Sequence, residues 1–213
     1  MFPSDWIGIS NNFAIGFPAP LSHSHDKMTA MSAVSPRVSF AELQQWPDDG
    51  RRYELYDGEV IVVPSPFPRH QRVAWNIGDV LKGYERTAGG YMFAIPIDIV
   101  LSEYDVVQPD VVYFREARRH VIDMMAATRA APDLAVEVLS RGTERRDRGR
   151  KLQMLARYGV PEYWLVDPIG NTLEIYTNRG GSLELAAMFS ERDDVESPTL
   201  PGLRFPAARI FEE

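Results

Sequence analysis

The sequence predicts an α/β fold built on a mixed sheet, and three patterns carry that expectation. Tyr53-Glu54-Leu55 and the apolar run at residues 60–63 flank Asp57-Gly58, which reads as a β-hairpin closed by a tight turn. Apolar residues recur at helical spacing through Val73, Ile77, Val80, Leu81 and Tyr84, inside a stretch running from about 69 to 86. Strand patterns at 134–139 and 162–166 are separated by a helical segment at about 144–158, so strands and helices alternate.

The chain has 213 residues, which suits one domain able to bury a real core. We expect that domain at residues 37–213, preceded by a poorly ordered extension at 1–36. The extension is rich in Ser, Asn, Pro and Gly, and Met28 or Met31 within it could be the natural start. His23 and His25 lie there two residues apart, without the further ligands a metal would need. There is no cysteine, which excludes disulfides, thiolate metal centres and a cysteine nucleophile. No run approaches the roughly 20 apolar residues of a membrane span. The N-terminus also lacks a basic region followed by a long apolar one, so a cytoplasmic protein is expected.

In order, the domain opens with Ser39 and Glu42 in capping-box spacing ahead of a short helix that ends near Trp46. The hairpin and the long helix follow; Gly78 weakens that helix locally. Strands are expected near 92–101 and 106–114, then an irregular stretch to 131 and the strand at 134–139. The basic helix closes at Gly159 and Pro161. Strands at 162–166, 172–177 and 183–189 come next, and residues 207–211 offer a last helical turn.

Three segments place charge where a packed core would prefer none. Asp110 stands at the mouth of the apolar run Val111-Val112-Tyr113-Phe114, where a strand-start turn reads equally well. Glu137 lies inside a run that is apolar on both alternations; a buried carboxylate there must be paired, protonated or bound to a cation. Between residues 141 and 157 stand seven basic and two acidic residues, against a formal net charge of −7 for the whole chain. Asp147 and Lys151 are four apart on one face of that helix and able to pair. Leu152, Leu155 and Ala156 give the helix an apolar flank that would turn Lys151 toward the strand ends. Two carboxylates and a lysine are the parts phosphodiester hydrolysis uses: oxygen ligands for Mg²⁺ or Mn²⁺, and a cation for developing charge. Arg145, Arg146 and Arg148 would contact DNA phosphates.

At these residues the sequence resembles the Uma2 family of endonucleases, in the PD-(D/E)XK restriction-endonuclease-like superfamily. The matching segments are Tyr53-Glu54-Leu55 with Asp57-Gly58-Glu59, Ser65-Pro66 with His70, and Gln108-Pro109-Asp110. They continue with residues 131–140, Arg145-Arg146-Asp147 with Lys151, and residues 158–168. The resemblance implies a restriction-endonuclease-like mixed sheet flanked by helices, with an N-terminal helix and hairpin. It implies Asp110 and Glu137 as metal ligands and gives the lysine role to Lys151. The superfamily's simplest pattern would instead put the lysine at position 139, which is Leu139.

Glu54 would be an additional acidic residue near the metal or a hairpin surface residue. His70 would touch phosphate, serve as an auxiliary acid–base group, or hold a structural hydrogen bond. Asp98 would line the site or face water, and Ser140 would bond near the metal or cap the next segment. The implied activity is metal-dependent hydrolysis of DNA; a homodimer is expected separately, from the sheet-plus-hairpin architecture, the aromatic residues and the two sites a two-strand cutter needs. A catalytically inactive nucleic-acid-binding or oligomeric module on the same fold is the alternative.

Overall fold

The computed structural model describes residues 36–213. The expected extension at 1–36, the alternative starts Met28 and Met31, and the His23/His25 pair fall outside these residues, Pro36 excepted. Ser39 caps α1 (Phe40–Leu43) with the full reciprocal capping box to Glu42. The hairpin follows as β1 (Arg52–Tyr56) and β2 (Glu59–Val63). Asp57 and Gly58 both take positive φ, 53° and 79°, the backbone a two-residue hairpin turn requires.

Helix α2 (Pro68–Ala88) has proline at its start, where no amide hydrogen bond is lost. Its inward stripe of Val73, Ala74, Ile77, Val80 and Leu81 packs on Val111, Tyr113, Val136 and Trp164. Gly78 has a packing reason: a Cβ there would stand 2.6 Å from the Cβ of Ala94. Among the described residues no helix is long and apolar enough to cross a membrane.

The two strands expected at 92–101 and 106–114 are each divided. The first becomes β3 (Tyr91–Phe93) and β4 (Ile99–Ser102); the second becomes β5 (Asp105–Val107) and β6 (Val111–Phe114). The division at Gln108-Pro109-Asp110 has a clear cause, because Pro109 has no amide hydrogen to continue a ladder. There the chain leaves a four-stranded antiparallel sheet, β2-β1-β5-β4, and enters a six-stranded one; with β7 (Leu134–Val138), β8 (Glu162–Asp167), β9 (Thr172–Arg179) and β10 (Ser182–Ser190) its order is β10-β9-β8-β7-β6-β3.

In that second sheet β7 (Leu134–Val138) runs antiparallel to β6 and parallel to β8 (Glu162–Asp167). A parallel pair needs a crossover, and the basic segment supplies it. The expected single helix is interrupted: α3 (Glu144–Arg146) and α4 (Leu152–Arg157) are joined by a π-helical turn at Asp147–Lys151. Leu134, Val136 and Val138 face α2, while Ala135 faces the cluster of Met154, Leu155, Tyr163 and Leu165. Glu137 shares the parity of Ala135 and so faces the crossover.

Beyond β9 (Thr172–Arg179) and β10 (Ser182–Ser190) comes a hairpin the sequence patterns did not indicate, β11 (Asp194–Glu196) with β12 (Arg204–Pro206). Its loop is fastened to the sheet by buried Glu162, which accepts bonds from the Trp164 indole at 2.6 Å, the Ser197 hydroxyl at 2.9 Å and the Thr199 amide at 2.9 Å. α5 (Ala208–Phe211) then packs on α2. The mixed α/β architecture agrees with the expectation.

The two glycines inside α2 should respond oppositely. A methyl group at Gly83 would meet nothing within 4 Å, so Gly83→Ala should raise stability by about 1 kcal/mol through helix propensity. Gly78→Val should lower it by about 2 kcal/mol through overpacking against Ala94. Urea unfolding followed by far-ultraviolet circular dichroism reads both.

Candidate active site

Strand register brings the two suspected carboxylates together. The pairing Val111↔Val136 and Val112↔Ala135, continued by one residue, sets Asp110 opposite Glu137. Asp110 is buried, and its Oδ2 accepts the Val138 amide at 2.9 Å and lies 3.1 Å from Nε2 of His70. His70 sits in the first turn of α2, where the helix start meets the start of β6.

Lys151 is 2% exposed, an extreme value for a lysine. Its Nζ lies 2.7 Å from Glu137 Oε1 and 2.7 Å from Glu54 Oε1, with Asp147 Oδ1 at 3.9 Å. Glu54 is wholly buried, which removes the hairpin-surface reading. It also accepts the Tyr56 hydroxyl at 2.9 Å and the Gln108 amide at 2.9 Å, and Arg146 Nε stands 3.7 Å away. The π-helical turn contains both Asp147 and Lys151, and such turns often mark functional sites.

The charges are unbalanced. Glu54, Asp110, Glu137 and Asp147 offer four carboxylates to the two permanent cations Lys151 and Arg146. Burial pushes Glu137 well above the usual carboxylate range, against the pull of Lys151. Burial also raises Asp147, whose two carboxylate oxygens are buried without a hydrogen bond among the described residues. Burial would raise Glu54 too, but Lys151, the Gln108 amide and Arg146 hold it below its ordinary value. Burial alone would lower Lys151; its carboxylate neighbours override that and raise it well above the ordinary lysine range, so it stays an ammonium.

Asp110, Glu137, His70, Lys151, Arg146 and Ser140 line one cavity of about 190 Å³. Among the described residues no group of three or more His, Cys, Asp or Glu is arranged to hold a metal. Two carboxylates on a shared cavity, within a cluster that carries excess negative charge, nonetheless fit a magnesium-like ion. Such ions bind through one or two carboxylates and take their remaining oxygens from water and phosphate.

The other expected residues divide. The Ser140 hydroxyl pairs with Thr143 at 3.0 Å, and its carbonyl accepts the Glu144 amide at 2.9 Å, so it shapes the start of the crossover at the cavity wall. Asp98 precedes β4 rather than lying within a strand, and is absent from the cavity lining. It accepts the Gln108 side-chain amide at 2.7 Å and lines a separate cavity of about 350 Å³. Of the three arginines expected on phosphate, only Arg146 lines the cavity of Asp110 and Glu137. Arg145 is exposed, and Arg148 is drawn off by a two-point pair with Glu174 at 2.8 and 2.9 Å. Sequence reasoning passed over Arg52 and Tyr56, gave Gln108 no role beyond its place in a matching segment, and gave Asp147 only a pairing role. The two-residue alternation of β1 could have flagged Tyr56 beside Glu54; no local signal marks Arg52.

The sequence matches the Uma2 family model, described as "Putative restriction endonuclease", over residues 40–208. Among solved structures it is similar to the crystal structure of a putative nuclease belonging to DUF820 from Anabaena variabilis ATCC 29413. The TM-score is 0.67 at 18% identity, covering 82% of this chain and 97% of that chain. At that identity the likeness bears on the fold. No curated protein matches the chain.

Removing the shared ammonium should be costly. Lys151→Ala leaves buried carboxylates unpaired and should destabilise by about 3–5 kcal/mol in urea unfolding. In a double-mutant cycle with Glu54→Gln, the two changes should couple by about 1 kcal/mol or more, since the second removes a charge the first left unpaired.

Proposed function

The chain belongs to the Uma2 family, and from that membership we propose that it is a Mg²⁺- or Mn²⁺-dependent endonuclease hydrolysing DNA phosphodiester bonds. The observation that carries this reading is the buried Lys151 ammonium, held at 2.7 Å by both Glu54 and Glu137 in the cavity that Asp110 shares.

Asp110 and Glu137 would hold the ion. When bound, it would polarise the phosphate and favour hydroxide at neutral pH. The protein's own groups supply the rest. The Val138 amide and His70 both engage Oδ2 of Asp110, which orients the carboxylate and leaves Oδ1 without these partners. His70 is therefore a positioning residue. Lys151 stays charged, so it acts as a hydrogen-bond donor that steadies negative charge on the attacking water or the phosphate, not as a base. Glu54 fixes the direction of that ammonium, and Arg146 presents a guanidinium to the phosphate oxygens from the cavity wall. Cutting both strands of a duplex takes two such sites, so the reading includes a homodimer, acting in the cytoplasm where DNA is reached.

Wild-type protein with Mg²⁺ or Mn²⁺ should convert supercoiled plasmid to nicked or linear forms. Lys151→Ala and Glu137→Ala should lose at least about 100-fold in rate, the scale of removing a charge-stabilising donor. Equal cleavage by all three proteins would sink the assignment. Calorimetry with Mn²⁺ should show binding that Asp110→Asn and Glu137→Gln each abolish. Sedimentation should give twice the chain mass; a monomer that still linearises plasmid would remove the dimer from the proposal.

A further inference from the structure

The segment joining the hairpin to α2 reads Pro64-Ser65-Pro66-Phe67-Pro68. Three prolines in five residues restrict the backbone before any ligand arrives. Phe67 is extended, with φ −79° and ψ 159°, and its carbonyl accepts the Gln71 amide at 3.1 Å as α2 begins. The residue is 73% exposed and joins none of the three apolar clusters of the described core. Phe67 nonetheless lines the same cavity as Asp110, Glu137 and Lys151, so an exposed aromatic side chain on a proline-restricted backbone borders the proposed active site.

The size of the cavity limits what can enter. At about 190 Å³ it is smaller than the roughly 300 Å³ at which small-molecule pockets begin. It suits a phosphate with its ion and water, while the flanking bases stay outside at the rim. Arg52 and Arg146 line the same cavity, so cationic groups for the backbone and an aromatic face for a base occur together. That pairing is how proteins take single strands: charge follows the backbone and rings accept base faces. A base within an intact duplex has both faces covered by its neighbours and must be unstacked first.

We propose that Phe67 is a stacking platform for an unpaired base beside the scissile phosphate, which makes single-stranded or locally unpaired DNA the substrate class. This deepens the nuclease reading above and rests on it.

The test uses the full chain with Ca²⁺ in place of Mg²⁺ and two fluorescein-labelled probes, a single-stranded 12-mer and the same sequence in a perfect duplex. Binding is read by fluorescence anisotropy. Phe67→Ala should weaken single-strand binding roughly 5- to 150-fold, the range expected for one stacked base. Phe67→Leu, which keeps apolar bulk without a ring, should weaken it similarly, and Phe67→Trp should retain it. Duplex affinity should not change in any variant. The urea midpoints should also match wild type, because the residue is exposed. Unchanged single-strand binding by Phe67→Ala, or an equal loss on the duplex, would overturn the stacking role while leaving the nuclease reading intact. Wild-type protein that binds neither probe would overturn both.

Discussion

One ammonium group joins the parts of this molecule that matter most. Lys151 arrives from the crossover between β7 and β8, and its partners come from β1 in one sheet and β7 in the other, each at 2.7 Å. Burying such a charge costs several kcal/mol unless the partners are close and themselves satisfied. Glu54 meets that condition, taking further bonds from Tyr56 and Gln108 with Arg146 beside it. The cluster still carries more carboxylates than cations. That excess is what the proposed divalent ion would offset.

The second constraint is Pro109, which cannot donate to a ladder and so marks where the chain changes sheets. The residues on either side turn that break to use. Gln108 gives its amide to Glu54, and Asp110 falls opposite Glu137 in the continued register. The proline-rich link into α2 closes the same cavity from another side and delivers His70 to Asp110. The site is therefore a meeting of two sheets and a helix start.

Much of this was legible in the chain. Asp57-Gly58 marked the hairpin because only a turn tolerant of positive φ fits there, and both residues take it. α2 was legible from its apolar period, and Glu137 stood out because a carboxylate in a doubly apolar run needs a partner. Other features were hidden for physical reasons. Nothing in Asp147-Arg148-Gly149-Arg150-Lys151 distinguishes a π-helical turn from an α-helix, since the difference lies in which carbonyls the amides reach. Arg148 looked like one more phosphate contact in a basic run, but Glu174 on β9 claims it. The short β11 and β12 carry too few residues to show a period; buried Glu162 holds their loop.

By itself the sequence determined the local periods, the turn positions and the presence of charges that a core would have to accommodate. Those follow from propensities and spacings within about a dozen residues. Only the tertiary structure decided which charges meet. Glu54, Asp110, Glu137 and Lys151 are spread across nearly a hundred positions of the chain, and the protonation of Glu54, Glu137 and Lys151 depends on burial and on neighbours from other strands. Electrostatic energy in a low-dielectric interior is set by distances through space, and local sequence does not carry those distances.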